Sequence, residues 1–302
     1  MNENVRWLAG NLSYCIASRF DSTHNLVASV TWWRDENALT VHDWLKADPK
    51  NKVIIISLFD PPWEVQELEL LQGDRVKSIY PEDLCFWVIA CGFYFQKYEI
   101  EELYPIEFLN KFLCYQRKPH QHRTILHNHL HDLEGIITLG DRRFEFNDVI
   151  PFDNKNADEQ VDNLMVANDI WTLGNREIWN RSFLNIISET PQRSYHPPFL
   201  SEKSFKPIIG MRPFLSYGHR EIDTRLKSLG FATFEEDFGY VPTDSHHDNA
   251  VQIRDIIKRL GDVDKLYRDL MPKILHNKNQ FRTAYRNELA VIDGLVDQYR
   301  VW

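Results

Sequence analysis

Residues 53–59 read Val-Ile-Ile-Ile-Ser-Leu-Phe, a short run that is apolar almost throughout and rich in β-branched side chains. A strand with one wet face alternates; a run like this belongs to a strand covered on both faces, as in a parallel sheet flanked by helices. A second such run, 183–187, ends beside the acid Glu189. A polar, Pro-rich loop follows it, then a helical stretch over 204–210, then Arg212-Pro213 and a further strand over 214–217 stopped by Gly218. Strands alternating with helices in this way predict an α/β fold.

The same alternation extends in both directions. Helices are expected at 41–46 and 63–71, on either side of the 53–59 strand, and 26–33 is a further apolar run. Periodicity leaves 84–94 open between strand and helix. A strand at 112–115, a helix at 124–133 ended by Gly135, and a strand at 136–139 form a second set. Residues 145–160 read as a polar insertion or loop. A helix at 222–229 closes at Gly230, a short strand is expected at 231–234, and from Asn249 onward the pattern is helical with breaks at Gly261 and Pro272. The predicted organisation is therefore an N-terminal domain over 1–110, a second α/β domain over 111–248, and C-terminal helices over 249–302.

Composition narrows the functional classes. Hydrophobic residues at 43% can fill a sizeable core, and a formal charge of −9 argues against a surface that coats nucleic acid. Arg117, Lys118, Arg123, Lys203, Lys206 and Arg212 nevertheless fall in the two segments, 116–123 and 199–218, that are read below as binding phosphates. Cys15, Cys85, Cys91 and Cys114 form no Cys-x-x-Cys pair, so reduced thiols are expected. The N-terminal residues lack the apolar stretch of a signal peptide. The run 84–95 is too short to span a bilayer, for which about 20 residues are needed. A cytoplasmic protein of a bacterium or a virus-infected cell is the expectation.

The chemistry-bearing residues concentrate at the junctions between strands and helices. A helix start presents unpaired N–H groups and the positive end of its dipole, which favours an anion such as a diphosphate. Lys203 adds a full charge at such a start, and Glu189 and Glu202 can accept hydrogen bonds from sugar hydroxyls. This junction reads as a nucleotide-sugar site. Glu202 is open to a plainer reading, as an acid favoured at a helix start, and Arg123 to one as a surface arginine. Asp60 and Glu64 follow the 53–59 strand; Asp60 could simply cap the turn into the next helix.

The run FLSEKSFKPIIGMRPFLSYG, residues 199–218, resembles the strand–loop–(Ser/Thr)-Glu-Lys–helix–strand unit of α1,3-fucosyltransferases and related GT-B glycosyltransferases. The segment Gln116-Arg117-Lys118-Pro119-His120-Gln121-His122-Arg123 is similar to the family's loop and helix whose arginine contacts the diphosphate. The matched region is roughly 111–236. The resemblance implies two Rossmann-like domains facing a cleft. By the same resemblance Glu202 holds ribose and Lys203 a phosphate, Arg123 contacts the diphosphate with Arg117 as a second contact, Glu189 stands at the family's Phe-Glu-Asn segment, and Phe199 fills an aromatic position. The family's base is a glutamate after a comparable strand in the first domain, which leaves Asp60 and Glu64 as alternatives here. The implied activity is inverting, metal-independent transfer from a nucleotide sugar to a glycan or other hydroxyl acceptor, including a modified nucleobase. GDP-fucose is the family's usual donor, but these residues do not report the sugar. Golgi members carry a membrane anchor, which is not expected here. A non-catalytic sugar- or nucleotide-binding protein of the same fold is the alternative.

Two other patterns invite a metal reading. His120, His122, His127, His129 and His131 crowd one segment, with His127 and His131 one turn apart, but no carboxylate stands at ligand spacing. Asp262-Val263-Asp264 follows a helical run where a metal-binding Asp-x-Asp should close a strand, so a helix cap is expected. His246-His247-Asp248 reads as loop. No metal and no resident cofactor are expected; the nucleotide sugar would be a co-substrate. P-loop, dinucleotide-binding Gly-x-Gly-x-x-Gly and Gly-x-Ser-x-Gly patterns are all missing from the sequence.

Overall fold

The apolar runs become parallel strands in the computed structural model. It describes residues 25–30, 35–57, 63–79, 85, 87–88, 91–92, 107–116, 119–139, 173, 176–189 and 200–299. The described elements form a mixed α/β structure with two parallel sheets and a helical C-terminus. By contacts the chain divides into two units, Met1–Ile89 with Arg286–Trp302, and Ala90–Tyr285. The pattern changes near 110 and 248 both fall inside the second unit.

In the first unit β1 (Asn25–Val30), α1 (Asp35–Ala47), β2 (Lys52–Ser57), α2 (Trp63–Gln72) and β3 (Val76–Ile79) alternate. The sheet order is β1-β2-β3, all parallel, with Leu26 opposite Val53 and Val53 opposite Val76. The central strand, β2, is built from residues 53–57 of the nearly all-apolar run. Val53 and Ile55, two residues apart and so on one face, pack with Val41, Leu45, Leu68 and Val76 into a small core. The α1–β2 turn is tied by side chains: Trp44 Nε1 donates to Lys52 O at 3.0 Å, and Asn51 Nδ2 to Trp44 O at 2.9 Å. Of the stretch left open at 84–94, the described residues Trp87, Val88, Cys91 and Gly92 are helical.

The second unit holds β4 (Asn110–Cys114), α3 (Gln121–Leu130), β5 (Gly135–Ile137), α4 (Arg176–Asn180), β6 (Ser182–Ser188), α5 (Glu202–Ile209) and β7 (Phe214–Tyr217). The order is β5-β4-β6-β7, again all parallel. β6 is buried along its whole length. Gly135 lets β5 close on β4, because a Cβ there would stand 2.1 Å from the Phe112 ring.

Arg212 precedes β7 at the end opposite the strand C-termini. Its Nε donates to Trp179 O and Ser182 O, both at 2.8 Å, and its Nη1 to Gly210 O at 3.0 Å and Met211 O at 2.9 Å. It is a buried fastener of backbone carbonyls. The expectation that grouped it with the phosphate-binding stretch is corrected for this residue.

The helices that follow are α6 (Ile222–Ser228), α7 (Glu235–Phe238), α8 (His246–Arg259) and α9 (Val263–Tyr299). Three local expectations change. Residues 231–234 are not a strand but the lead-in to α7. His246-His247-Asp248 is not loop but the first turn of α8, because Ser245 caps it: Ser245 Oγ accepts from Asp248 N at 3.2 Å. The helix does break at Gly261, but Pro272 sits inside α9 without ending it. A proline removes one helical N–H, and the rest of a long helix can carry that loss. Asp262 caps α9, with Oδ1 accepting from Lys265 N at 2.8 Å. Among the described residues, no helix is long and apolar enough to cross a membrane, and no group of three or more His, Cys, Asp or Glu is placed to hold a metal ion. The described cysteines Cys85, Cys91 and Cys114 are buried.

Candidate functional site

The strand order of the second sheet creates a position for a site. From β4 the chain crosses by α3 to β5 on one side; the next strand to pair with β4, β6, lies on the other side and leads by α5 to β7. The segments leaving the C-terminal ends of β4 and β6 therefore diverge, and open parallel sheets bind ligands beyond strand ends at such a reversal. Arg123 lies in the first turn of α3, Glu189 directly follows β6, and Ser201, Glu202 and Lys203 open α5.

These residues meet. Glu189 is 2% exposed. Its Oε1 accepts from Ser201 N at 2.9 Å, Ser201 Oγ at 2.8 Å and Ser204 Oγ at 2.8 Å, and its Oε2 from Ser201 Oγ at 2.7 Å. The carboxylate stitches the end of β6 to the start of α5. Ser201 is the N-cap of α5, and its Oγ accepts from Lys203 N at 3.3 Å. Lys203 Nζ donates to Glu202 Oε1 at 2.6 Å and to Ser201 Oγ at 3.2 Å. Arg123 is 4% exposed, so the surface-arginine reading is excluded; its Nη2 reaches Ser188 O at 3.4 Å.

Charge is concentrated here away from water. Burial presses the Arg123 pKa down, against the pull of Glu189, Cys114 and Glu202. Burial pushes Glu202 up, but Lys203 and Lys206 outweigh it and hold the acid below its ordinary value. Lys203 is the converse: burial opposes its charge, and Glu202 and Glu189 more than restore it. Cys114, at the end of β4, is pushed up to about 12 by burial and is an inert thiol at neutral pH.

His122, weighed from the sequence only as one of a histidine cluster, ties the two arms together. Its Nε2–H donates to Glu189 O at 3.0 Å, which fixes the tautomer because a carbonyl can only accept. The Tyr217 hydroxyl, at the end of β7, donates to His122 O at 2.7 Å. The His122 ring lies 6.0 Å from that of His120 and 5.4 Å from that of His246. Burial, with Arg123 and His246 next in effect, lowers its pKa from 6.5 to about 4. Ser201 was read only as part of the helix opening and Ser204 was missed as a partner of Glu189; their spacing, serine three residues from a helix-capping serine, was the available signal.

Gly218 completes the strand ends. Its φ of +135° is a conformation that L side chains rarely adopt, and a Cβ there would lie 2.8 Å from Glu189 O.

Of the sequence candidates, the structure brings together Arg123, Glu189, Glu202 and Lys203. Asp60, Arg117 and Phe199 lie outside the described residues, and Glu64 is placed only as a backbone position in α2. No family model matches the chain, and no curated protein and no solved structure matches it significantly.

Proposed function

We propose that the protein is a glycosyltransferase that moves a sugar from a nucleotide-sugar donor to a hydroxyl acceptor. The observation that carries the reading is the meeting of Arg123 and Lys203 with Glu189 and Glu202 where the strand order reverses, Lys203 partly exposed and the other three buried. A buried and a partly exposed cation side by side suit an anionic group, and the adjacent acids suit hydroxyls. Donor diphosphate would lie against Lys203 and Arg123, with Arg117 nearby, and ribose against Glu202, with Phe199 as an aromatic contact. Glu189 would act by holding the start of α5 in place.

In this reading the protein is built of Rossmann-like domains of GT-B type. The acceptor oxygen attacks the anomeric carbon as that carbon's bond to the diphosphate breaks, with inversion. Asp60 or Glu64 takes the acceptor proton, and the side-chain cations neutralise the leaving group, so no metal is needed. The acceptor is a glycan or another hydroxyl compound.

The test is calorimetric titration with UDP, GDP and CDP and their sugars. Charge-assisted contacts are each worth about 1.5–3 kcal/mol, so Arg123→Ala and Lys203→Ala should each weaken the preferred ligand by about tenfold or more. Unchanged affinity in both variants would remove the site assignment. Transfer that survives excess chelator is expected; loss of transfer, with return on adding manganese, overturns the metal-independent mechanism. Binding without transfer or hydrolysis for any acceptor panel would favour a non-catalytic binding protein.

A further inference from the structure

The donor site as proposed above contains its own negative charge, and that has a consequence for ligand choice. Lys203 Nζ is held at 2.6 Å by Glu202 Oε1, and Glu202 is 9% exposed. The charged groups that act on Glu202 are Lys203 and Lys206 from its own helix and Arg123 from α3; Glu189, from the end of β6, acts on both Lys203 and Arg123. The two carboxylates are not alike. Glu189 is held by serine hydroxyls and a backbone N–H, whereas Glu202 shares the ammonium group that a phosphate would use. Any ligand charge drawn to Lys203 must therefore sit close to the Glu202 carboxylate, in a place poorly screened by water.

We infer that Glu202 is a specificity-determining residue that biases the site toward the intact nucleotide sugar and against the free nucleoside diphosphate. The two ligands share base, ribose and both phosphorus atoms. They differ in that the sugar donor is a dianionic diester, whereas the free diphosphate gains a further charge when its terminal phosphate loses its second proton, at about pH 6. That extra charge is repelled by Glu202. Contacts to ribose are the same for both ligands, so a ribose-holding role changes both affinities together and leaves their ratio alone. The repulsion changes the ratio.

The experiment uses the full chain and calorimetry with matched pairs, GDP with GDP-mannose and UDP with UDP-glucose, at about pH 8 and about pH 5.5. The readout is the affinity ratio of free diphosphate to nucleotide sugar. Glu202→Gln keeps the side-chain volume and an acceptor for Lys203. It should shift the ratio about tenfold toward the free diphosphate at the higher pH, a shift set by one nearby charge in a partly screened site. At the lower pH, where the terminal phosphate is protonated, the shift should shrink to about threefold or less. Glu202→Asp keeps the charge and should keep the parent ratio; Glu202→Ser is a second neutral variant should the first not fold. Both ligands binding with a ratio unmoved by the neutral variants overturns this inference alone. Failure of the parent protein to bind either pair overturns the donor-site reading and this inference with it.

Discussion

Acidification should strike this protein first at His122. The imidazole is 4% exposed, and its Nε2–H is committed to the Glu189 carbonyl. The unfolded chain holds the same side chain in water with a pKa near 6.5, against about 4 in the folded protein. Between those values the unfolded state binds the proton and the folded state does not, so acid favours unfolding. The contribution is fully present above about pH 6.5 and is lost as pH falls toward 4; in size it is about 3 kcal/mol. That is a large fraction of the stability of an ordinary domain. Many groups titrate in this range, so the measurement must be a difference. Urea unfolding of the parent and of His122→Gln, followed by near-ultraviolet circular dichroism at several pH values from 7 to 4, isolates the one residue. Glutamine keeps an N–H that can reach the same carbonyl but does not titrate. The parent should lose about 2–4 kcal/mol more than the variant across the window. Two stability curves that run parallel from pH 7 to 4 would refute the reasoning.

Three further outcomes are expected. Gly218→Ala should lower stability by about 2 kcal/mol or more, because its φ of +135° and the 2.8 Å approach to Glu189 O both resist a Cβ; an unchanged melting temperature would contradict this. Arg212→Leu should cost about 4 kcal/mol or more, since the carbonyls of Trp179, Ser182, Gly210 and Met211 lose their shared donor; Arg212→Lys should recover only part, and a loss below about 1 kcal/mol in denaturant unfolding would count against the fastener role. Asp60→Asn or Glu64→Gln should reduce turnover by about 10²–10⁴ at nearly constant nucleotide affinity; two variants with parent turnover at saturating donor and acceptor would place the base elsewhere.

What could be read from the sequence was what depends on local pattern. The 53–59 and 183–187 runs are apolar enough to demand cover on both faces; 53–57 stands in β2 and 183–187 in β6, both in parallel sheets. The serine at 201 followed by Glu202 and Lys203 announced the start of α5. Pairing across the chain was not legible. Nothing local to Glu189 says that both its carboxylate oxygens go to Ser201 and Ser204, more than ten residues on. Arg212 and Lys203 look equivalent as basic residues, and only tertiary placement separates a fastener at one end of the sheet from a charge at the other. His122 hid in a crowd of histidines, where a metal question obscured a single hydrogen bond to a distant carbonyl. Pro272 signals a break by its chemistry, yet it stands within a helix long enough to absorb it.

The placement of β4 between β5 and β6 also sets when this protein becomes competent during synthesis. β5 follows β4 closely, but β6 reaches it only across 72 residues, as the Asn110–Ser182 contact records. Closing the longer loop costs more chain entropy and comes later. Arg123 rides on the helix after β4, while Glu189 and Lys203 arrive with and after β6. A ribosome that has released the chain only as far as β5 has therefore made Arg123 of the proposed donor site and none of its counter-charge. On the proposed donor-site reading, ligand can rescue a slow or damaged folding reaction only after β6 has paired, so a nucleotide added to a refolding mixture should raise the final yield without hastening the earliest phase.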